Sequence, residues 1–334
     1  MNEIQAKAPV ILAEIQKANS ILLHCHPSPD PDSVGSALAM KFTLEQMGKK
    51  VTVISSDSDI PRGFNHFPGI TDIQRTNFFE LDLKKFDLFI IQDSGSSGMI
   101  SRFKPITFPL PIRTIVIDHH VSNPKYADIN LVESSYPATA QLLFELFLIW
   151  DMEMTHDIAA NLFMGIYSDT GGFKYPGTTS RTFACAGKLI EFVPEFPKLI
   201  SDMENSNTPG FITFEALALN SIRTFLNGTL GFSIMSNKAL ADAKIPKNEI
   251  RGDAVSPILR SVENWLVTAV VIELEPGNVK ISFRSKDGDM YDVSKLASML
   301  GGGGHAAASG ATLMMPIEDA VSLVVAKAKD LYNL

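Results

Sequence analysis

The chain has 334 residues, of which 45% are apolar and 20% charged, and its net charge is −8. That length predicts two domains, and the balance of apolar and charged residues excludes an intrinsically disordered chain. The acidity excludes a protein that tracks a long nucleic acid, because non-specific affinity comes from Lys and Arg neutralising phosphates; a small anionic substrate held by a few placed cations fits better.

In chain order, the N-terminal 18 residues carry an amphipathic pattern with acids inside it, and lack the basic start and unbroken apolar run of a secretion signal. Residues 21–26 (ILLHCH), 51–55, 86–92 (FDLFIIQ) and 114–117 (TIVI) read as strands. Their near-continuous apolar character predicts a sheet covered on both faces. A helical pattern over 33–47 ends at Gly48. This strand-helix-strand alternation predicts an α/β domain, a mainly parallel sheet with helices on both faces. Further helices are expected over 138–150 and 157–167. The apolar run 142–150 is interrupted by Glu145 and is too short to span a bilayer, which takes about 20 residues.

A domain boundary is expected after residue 192, where VPEFPKLISDMENSNTPG breaks the pattern with three prolines. We read 1–192 as the first domain, 193–228 as a linker with a bridging helix near 211–226, and 229–334 as a smaller α+β domain. In the latter, 231–235, 265–273 and 278–284 read as strands, with a hairpin turn at 275–278. Helices are expected over 293–299 and 317–332. The two cysteines, Cys25 and Cys185, form no zinc-type pair and no disulfide framework, which predicts a reducing cytoplasm.

The chemistry concentrates at strand ends. His26, Asp30 and Asp32 follow the first strand, Asp93 the third, and Asp118-His119-His120 the fourth; Asp169 closes a later helix. In open α/β sheets ligands sit beyond the carboxyl ends of the strands, so these groups should meet in one crevice. Alone, each has a plain structural reading: Asp30-Pro-Asp32 is a helix N-cap pattern, and Asp93 or Asp118 an ordinary strand-end turn residue. Together, four carboxylates (Asp30, Asp32, Asp93, Asp169) would repel and take up protons. Two divalent cations would balance them, with His26 and His119 completing the ligand set. Carboxylate and imidazole ligands with water suit Mn²⁺ first, with Mg²⁺, Co²⁺ or Fe²⁺ as alternatives. In the second domain, Gly301, Gly302, Gly303 and Gly304 would let backbone N–H groups approach an anion. His305 follows them, and Arg284 carries a planar fork suited to phosphate.

This order of motifs resembles the DHH phosphoesterase family, named for the triplet that stands here as Asp118-His119-His120. The likeness extends to His26-x-x-x-Asp30-x-Asp32-x-x-Gly35-Ser36, to Asp93 and to GIYSDTGGFKYPGTT. The second domain resembles DHHA1, whose glycine run and histidine stand here as GGGGHAAASG, preceded by SFRSK. Within that superfamily the chain is most similar to the bacterial oligoribonuclease/pAp-phosphatase group. The resemblance implies that His26 and Asp30 bind one metal, that Asp32, His119 and Asp169 bind the other, and that Asp93 bridges both. It implies that Asp118 orients a histidine, that His120 contacts the reacting phosphate, and that Arg284, Gly301 to Gly304 and His305 hold the substrate across an interdomain cleft. One departure is the stretch after Asp93, SGSSGMI, where relatives carry an asparagine and an arginine; Arg102 stands out of register.

The implied activity is two-metal hydrolysis of short RNA and 3'-dephosphorylation of adenosine 3',5'-bisphosphate (pAp) to AMP. A phosphodiesterase for linear or cyclic dinucleotides is the alternative, and a non-catalytic nucleotide sensor a third reading. No long nucleic acid and no membrane is expected as a partner, and the resemblance allows a homodimer.

Overall fold

The computed structural model describes residues 3–55, 59–104 and 106–334. It divides into two compact units, Met1–Ser206 and Asn207–Leu334.

The first unit runs α1 (Glu3–Lys17), β1 (Ser20–His24), α2 (Pro31–Gln46), β2 (Lys50–Ile54), β3 (Ile73–Gln74), β4 (Leu88–Gln92), β5 (Arg113–Asp118), β6 (Ile129–Val132), α3 (Thr139–Ile149), α4 (His156–Asp169), α5 (Ser180–Ile190) and α6 (Phe196–Glu204). Among the described residues six strands form one sheet, in the order β3-β2-β1-β4-β5-β6, all parallel. Strand alternation splits the apolar residues between two cores. Ile21, Leu23, Ile90, Ile115 and Ile117 face a core shared with α1 to α5. Leu22, Phe89, Ile91 and Val116 face a second core closed by Phe78, Ile100 and Ile106. Both faces are thus covered, the second by loops and single-turn 3₁₀ helices such as Phe78–Glu80 and Ser97–Met99.

The strand order positions the site. From β1 the chain builds outward to β2 and β3, then returns to β4 on the other side and builds outward again. The switch point therefore lies between β1 and β4, where crevices open in such sheets.

The second unit runs α7 (Pro209–Asn220), β7 (Ile222–Phe225), β8 (Leu230–Met235), α8 (Asn237–Asp242), α9 (Gly252–Arg260), β9 (Val267–Glu275), β10 (Asn278–Ser285), α10 (Val293–Ser298), β11 (Gly303–His305), β12 (Ala308–Met314) and α11 (Ile317–Tyr332). Its sheet has the order β11-β12-β10-β9-β8-β7 and is antiparallel except for β8 with β9. Phe283, Ile281 and Val271 pack on one side with α10 and α11; Val270 and Ile272 pack on the other with α7 to α9.

Two stretches differ from the sequence reading. The proline-broken segment is helical at α6, because Pro197 falls in the first turn, where a missing N–H costs nothing. The helix expected over 211–226 stops at Asn220, and the chain turns into edge strand β7. Phe211, Phe214 and Ala218 of α7 are buried with Met235, Val255 and Leu259, so that helix belongs to the second unit's core.

Candidate metal centre

His26 and Asp30 sit on the loop leaving β1. Asp30 caps α2, its Oδ1 accepting from the Ser33 N–H at 2.8 Å. Its Oδ2 lies 3.4 Å from His26 Nε2. The capping reading and the ligand reading thus describe the two oxygens of one carboxylate. The His26 N–H donates to Ser33 Oγ at 3.0 Å, which ties the histidine to the same helix start.

Asp93 follows β4, with φ at 50°. A non-glycine residue in this left-handed region is uncommon and worth a functional explanation. The explanation is in its two oxygens. Oδ2 lies 3.5 Å from His26 Nε2, and Oδ1 lies 3.5 Å from His119 Nε2. One buried carboxylate therefore faces a histidine on either side.

The triplet at the end of β5 divides its labour. Asp118 is fully buried; its Oδ1 pairs with His120 Nδ1 at 2.7 Å and its Oδ2 accepts from Asn123 Nδ2 at 2.6 Å. His120 is thereby oriented with its Nε2 edge turned away from Asp118. His119 places Nδ1 3.3 Å from the Tyr136 carbonyl, and its Nε2 lies 3.4 Å from Asp169 Oδ2. Asp169 is the last residue of α4, where a carboxylate meets the negative end of the helix dipole. That placement is unfavourable unless a cation is near.

Among the described residues, three groups have ligand atoms all within 4.8 Å of one another: His26, Asp30 and Asp93; Asp32, His119 and Asp169; and Asp93, His119 and His120. The donor set fits divalent cations on an independent observation. His119 Nε2 is buried without a hydrogen-bond partner, while carboxylate oxygens stand 3.4 Å and 3.5 Å away. An imidazole nitrogen and two carboxylates held just beyond hydrogen-bond length are spaced as ligands of a shared ion would be. In both His26 and His119 the other ring nitrogen faces a backbone carbonyl, the arrangement that fixes the ligating tautomer.

Protons substitute for those charges when no cation is bound. Burial, then the charge of Asp93, raises Asp32 to about 7. Burial, then the charges of Asp32 and Asp93, raises Asp169 to about 9. Burial opposes protonation of both histidines, yet the carboxylates win: Asp30 and Asp93 raise His26 to about 11, and Asp93, Asp32 and Asp169 raise His119 to about 10. Asp93, despite its burial, is held below the usual carboxylate range by His119 and His26. Hydrogen bonding to Asp118 raises His120.

Residues 20–166 match the DHH family, N-terminal domain, and residues 238–333 match the DHHA1 domain. The chain belongs to the DHH/DHHA1 family. It is 28% identical over 308 residues to a bifunctional oligoribonuclease and PAP phosphatase of Thermus thermophilus, covering 91% of this chain and 87% of that one. It is 23% identical over 316 residues to the Bacillus subtilis protein of the same name, covering 91% and 92%. An exopolyphosphatase-related protein from Bacteroides fragilis shares the fold, with a TM-score of 0.86 at 22% identity over 99% of this chain and 98% of that one.

The DHHA1 unit brings two of its expected residues together. Arg284 on β10 pairs with Ala308 on β12, and Ala308 pairs with His305 on β11. Directly opposed residues point to one face, so Arg284 and His305 flank the Ala308 methyl on the same side of the sheet. Arg284 is half-buried, and its Nη1 donates to the Phe283 carbonyl at 2.8 Å. The glycine run serves packing as well as any anion. A Cβ on Gly302 would come within 2.1 Å of the Gly310 carbonyl, and one on Gly304 within 2.5 Å of Ser309 Cα. Gly301 turns the chain at a φ of 77°, and Gly303 has open space around it. Gly303, Gly304 and His305 form an exposed edge strand rather than a free loop.

The sequence reading missed Thr139. At the start of α3 its N–H donates to Asp32 Oδ2 at 2.7 Å, the Ala140 N–H donates to Asp32 Oδ1 at 2.9 Å, and its hydroxyl donates to Asp93 Oδ1 at 3.2 Å. Asp32 thus satisfies the N-terminus of a helix 107 residues away. The only signal in the sequence was a threonine at a helix start, too common to single out.

Proposed function

We propose that the protein is a two-metal phosphoesterase that hydrolyses oligoribonucleotides of a few nucleotides to mononucleotides and removes the 3'-phosphate of pAp to give AMP. The observation that carries this reading is Asp93, whose two oxygens face His26 of the His26–Asp30–Asp93 triad and His119 of the Asp32–His119–Asp169 triad. The relatives named as oligoribonuclease and PAP phosphatase support the substrate class.

His26, Asp30 and Asp93 would hold one cation, and Asp32, His119, Asp169 and the shared Asp93 the other. Mn²⁺ suits the set best. Bound there, divalent cations supply Lewis-acid stabilisation of phosphoryl oxygens and make water a competent nucleophile near neutral pH. The chain's own groups do the rest. Asp118 holds His120 by Nδ1, so Nε2–H faces the substrate and can donate to a phosphate oxygen or to the leaving oxygen. Arg284, Gly301 to Gly304 and His305 are assigned to binding the remainder of the substrate. The two buried free cysteines accord with a reducing cytoplasm.

The test is a panel of pApA, pAp, cyclic di-AMP and pyrophosphate, each with and without Mn²⁺. The reading predicts Mn²⁺-dependent release of AMP from pApA and pAp and negligible turnover of pyrophosphate. Tight binding of a nucleotide with no hydrolysis of any would overturn it in favour of a sensor.

A further inference from the structure

An aromatic surface outside the candidate ligand groups is tied through Arg102 to the loop that bears His26 and Asp30. Phe103 is 72% exposed and Phe79 is 37% exposed, with their rings 6.0 Å apart and edge to face. Single exposed aromatics need no explanation; this pair is built. Phe79 packs at 5.5 Å against Phe78, which stacks at 5.6 Å on Phe89 of β4 in the buried core. The Lys104 ammonium stands 4.5 Å from the Phe79 ring centre and 5.8 Å from that of Phe103. Hydrogen bonds among the described residues hold the segment bearing Phe103. Ser101 Oγ accepts from the Phe103 N–H at 3.1 Å and from Asn77 Nδ2 at 3.3 Å. Arg102 Nη2 donates to Ser28 Oγ at 2.6 Å. Ser28 lies midway between His26 and Asp30 on the metal-facing loop. The arginine that stood out of register in the sequence thus joins the aromatic segment to the candidate centre.

We propose that Phe103, buttressed by Phe79, is a base-stacking subsite that takes a nucleobase of the short oligonucleotide while its phosphate lies at the metal centre. This rests on the phosphoesterase reading above. An exposed ring gives every base a π-face and reads no base edge, so the subsite discriminates nucleotides from bare phosphate compounds without choosing among bases. Lys104 adds positive charge on the same surface. Arg102 is a positioning residue here, holding the segment against the loop.

The experiment compares the full-length wild type with Phe103→Ala and Phe103→Trp. Calorimetry measures the binding of a pApA analogue with a methylphosphonate linkage, which is not hydrolysed, and of the same analogue with one base replaced by hydrogen. Base stacking lost to alanine weakens binding by about 5- to 150-fold. We expect that loss for Phe103→Ala with the intact analogue, near-wild-type affinity for Phe103→Trp, and a much smaller change with the abasic analogue. Equal affinity of wild type and Phe103→Ala for the intact analogue would overturn the subsite, as would equal losses for the intact and abasic ligands. The binding arm reads the subsite even if pApA is not turned over, so failure of the phosphoesterase reading shows separately in the hydrolysis panel. An unchanged melting temperature checks that each variant is folded.

Discussion

Thr139 reaches two of the site's carboxylates at once, Asp32 through its backbone N–H and Asp93 through its hydroxyl. Because Asp32 belongs to one triad and Asp93 faces both histidines, this residue ties the two halves of the candidate centre together. Groups that orient metal ligands typically cost 10–100-fold in metal affinity when removed. Thr139→Val keeps the backbone donor and the side-chain volume but removes the hydroxyl. We expect Mn²⁺ to bind it about 10-fold more weakly in calorimetric titration, and Thr139→Ser to restore the wild-type affinity. Equal Mn²⁺ affinity in Thr139→Val and wild type would remove the hydroxyl from the account. None of this was legible in the sequence, since Asp32 and Thr139 meet only through the fold. That His26, Asp30, Asp93, His119 and Asp169 come together was legible, because they stand at strand and helix ends that the fold gathers in one crevice.

At the scale of elements, α2 carries Asp32 and α4 carries Asp169, and the two helices approach closely at two glycines. A Cβ on Gly35 would lie 2.3 Å from the Asn161 carbonyl oxygen, and one on Gly165 would lie 2.8 Å from Asp32 Oδ1. Gly165→Ala therefore pushes directly on a proposed ligand and on the Ala140 methyl beside it. We expect a melting temperature lowered by several degrees and a loss of Mn²⁺ affinity larger than that of Thr139→Val. A variant with normal affinity would mean that Asp32 does not ligate. Elements with a clear apolar pattern were readable: the run 21–26 is seen as Ser20–His24, and the amphipathic pattern 317–332 as Ile317–Tyr332. Others were hidden. β6 carries polar Asn130 between Ile129 and Leu131, β3 is only two residues long, and α5 is amphipathic but follows a glycine- and proline-rich turn. The edge strand β11 is made of glycines and a histidine, which no propensity scale reads as strand.

For the whole molecule, the centre makes stability depend on pH in a way that cations reverse. In the cation-free protein Asp169, His119 and His26 all keep protons to higher pH than in the unfolded chain, at about 9, 10 and 11. A group whose folded pKa is raised stabilises fully below its unfolded pKa and loses that contribution as pH rises through the folded value. The folded state therefore binds more protons than the unfolded one between pH 7 and 10, and chelated protein should lose stability across that window. Ligands must shed those protons to bind cations, so metal loading should release protons and gain affinity as pH rises. We expect the melting temperature in EDTA to fall from pH 7 to 10, and saturating Mn²⁺ to raise it, with the larger gain at the higher pH. An identical pH profile with and without Mn²⁺ would show that these groups do not hold the ion.

Asp93 is proposed as the carboxylate common to two cations. The most direct measurement is the anomalous signal of Mn²⁺ soaked into crystals of the wild type and of Asp93→Ala. The wild type should give two peaks, one among His26, Asp30 and Asp93 and the other among Asp32, His119, Asp169 and Asp93, and Asp93→Ala should lose at least one of them. Two peaks of undiminished height in Asp93→Ala, or wild-type peaks away from these residues, would contradict it.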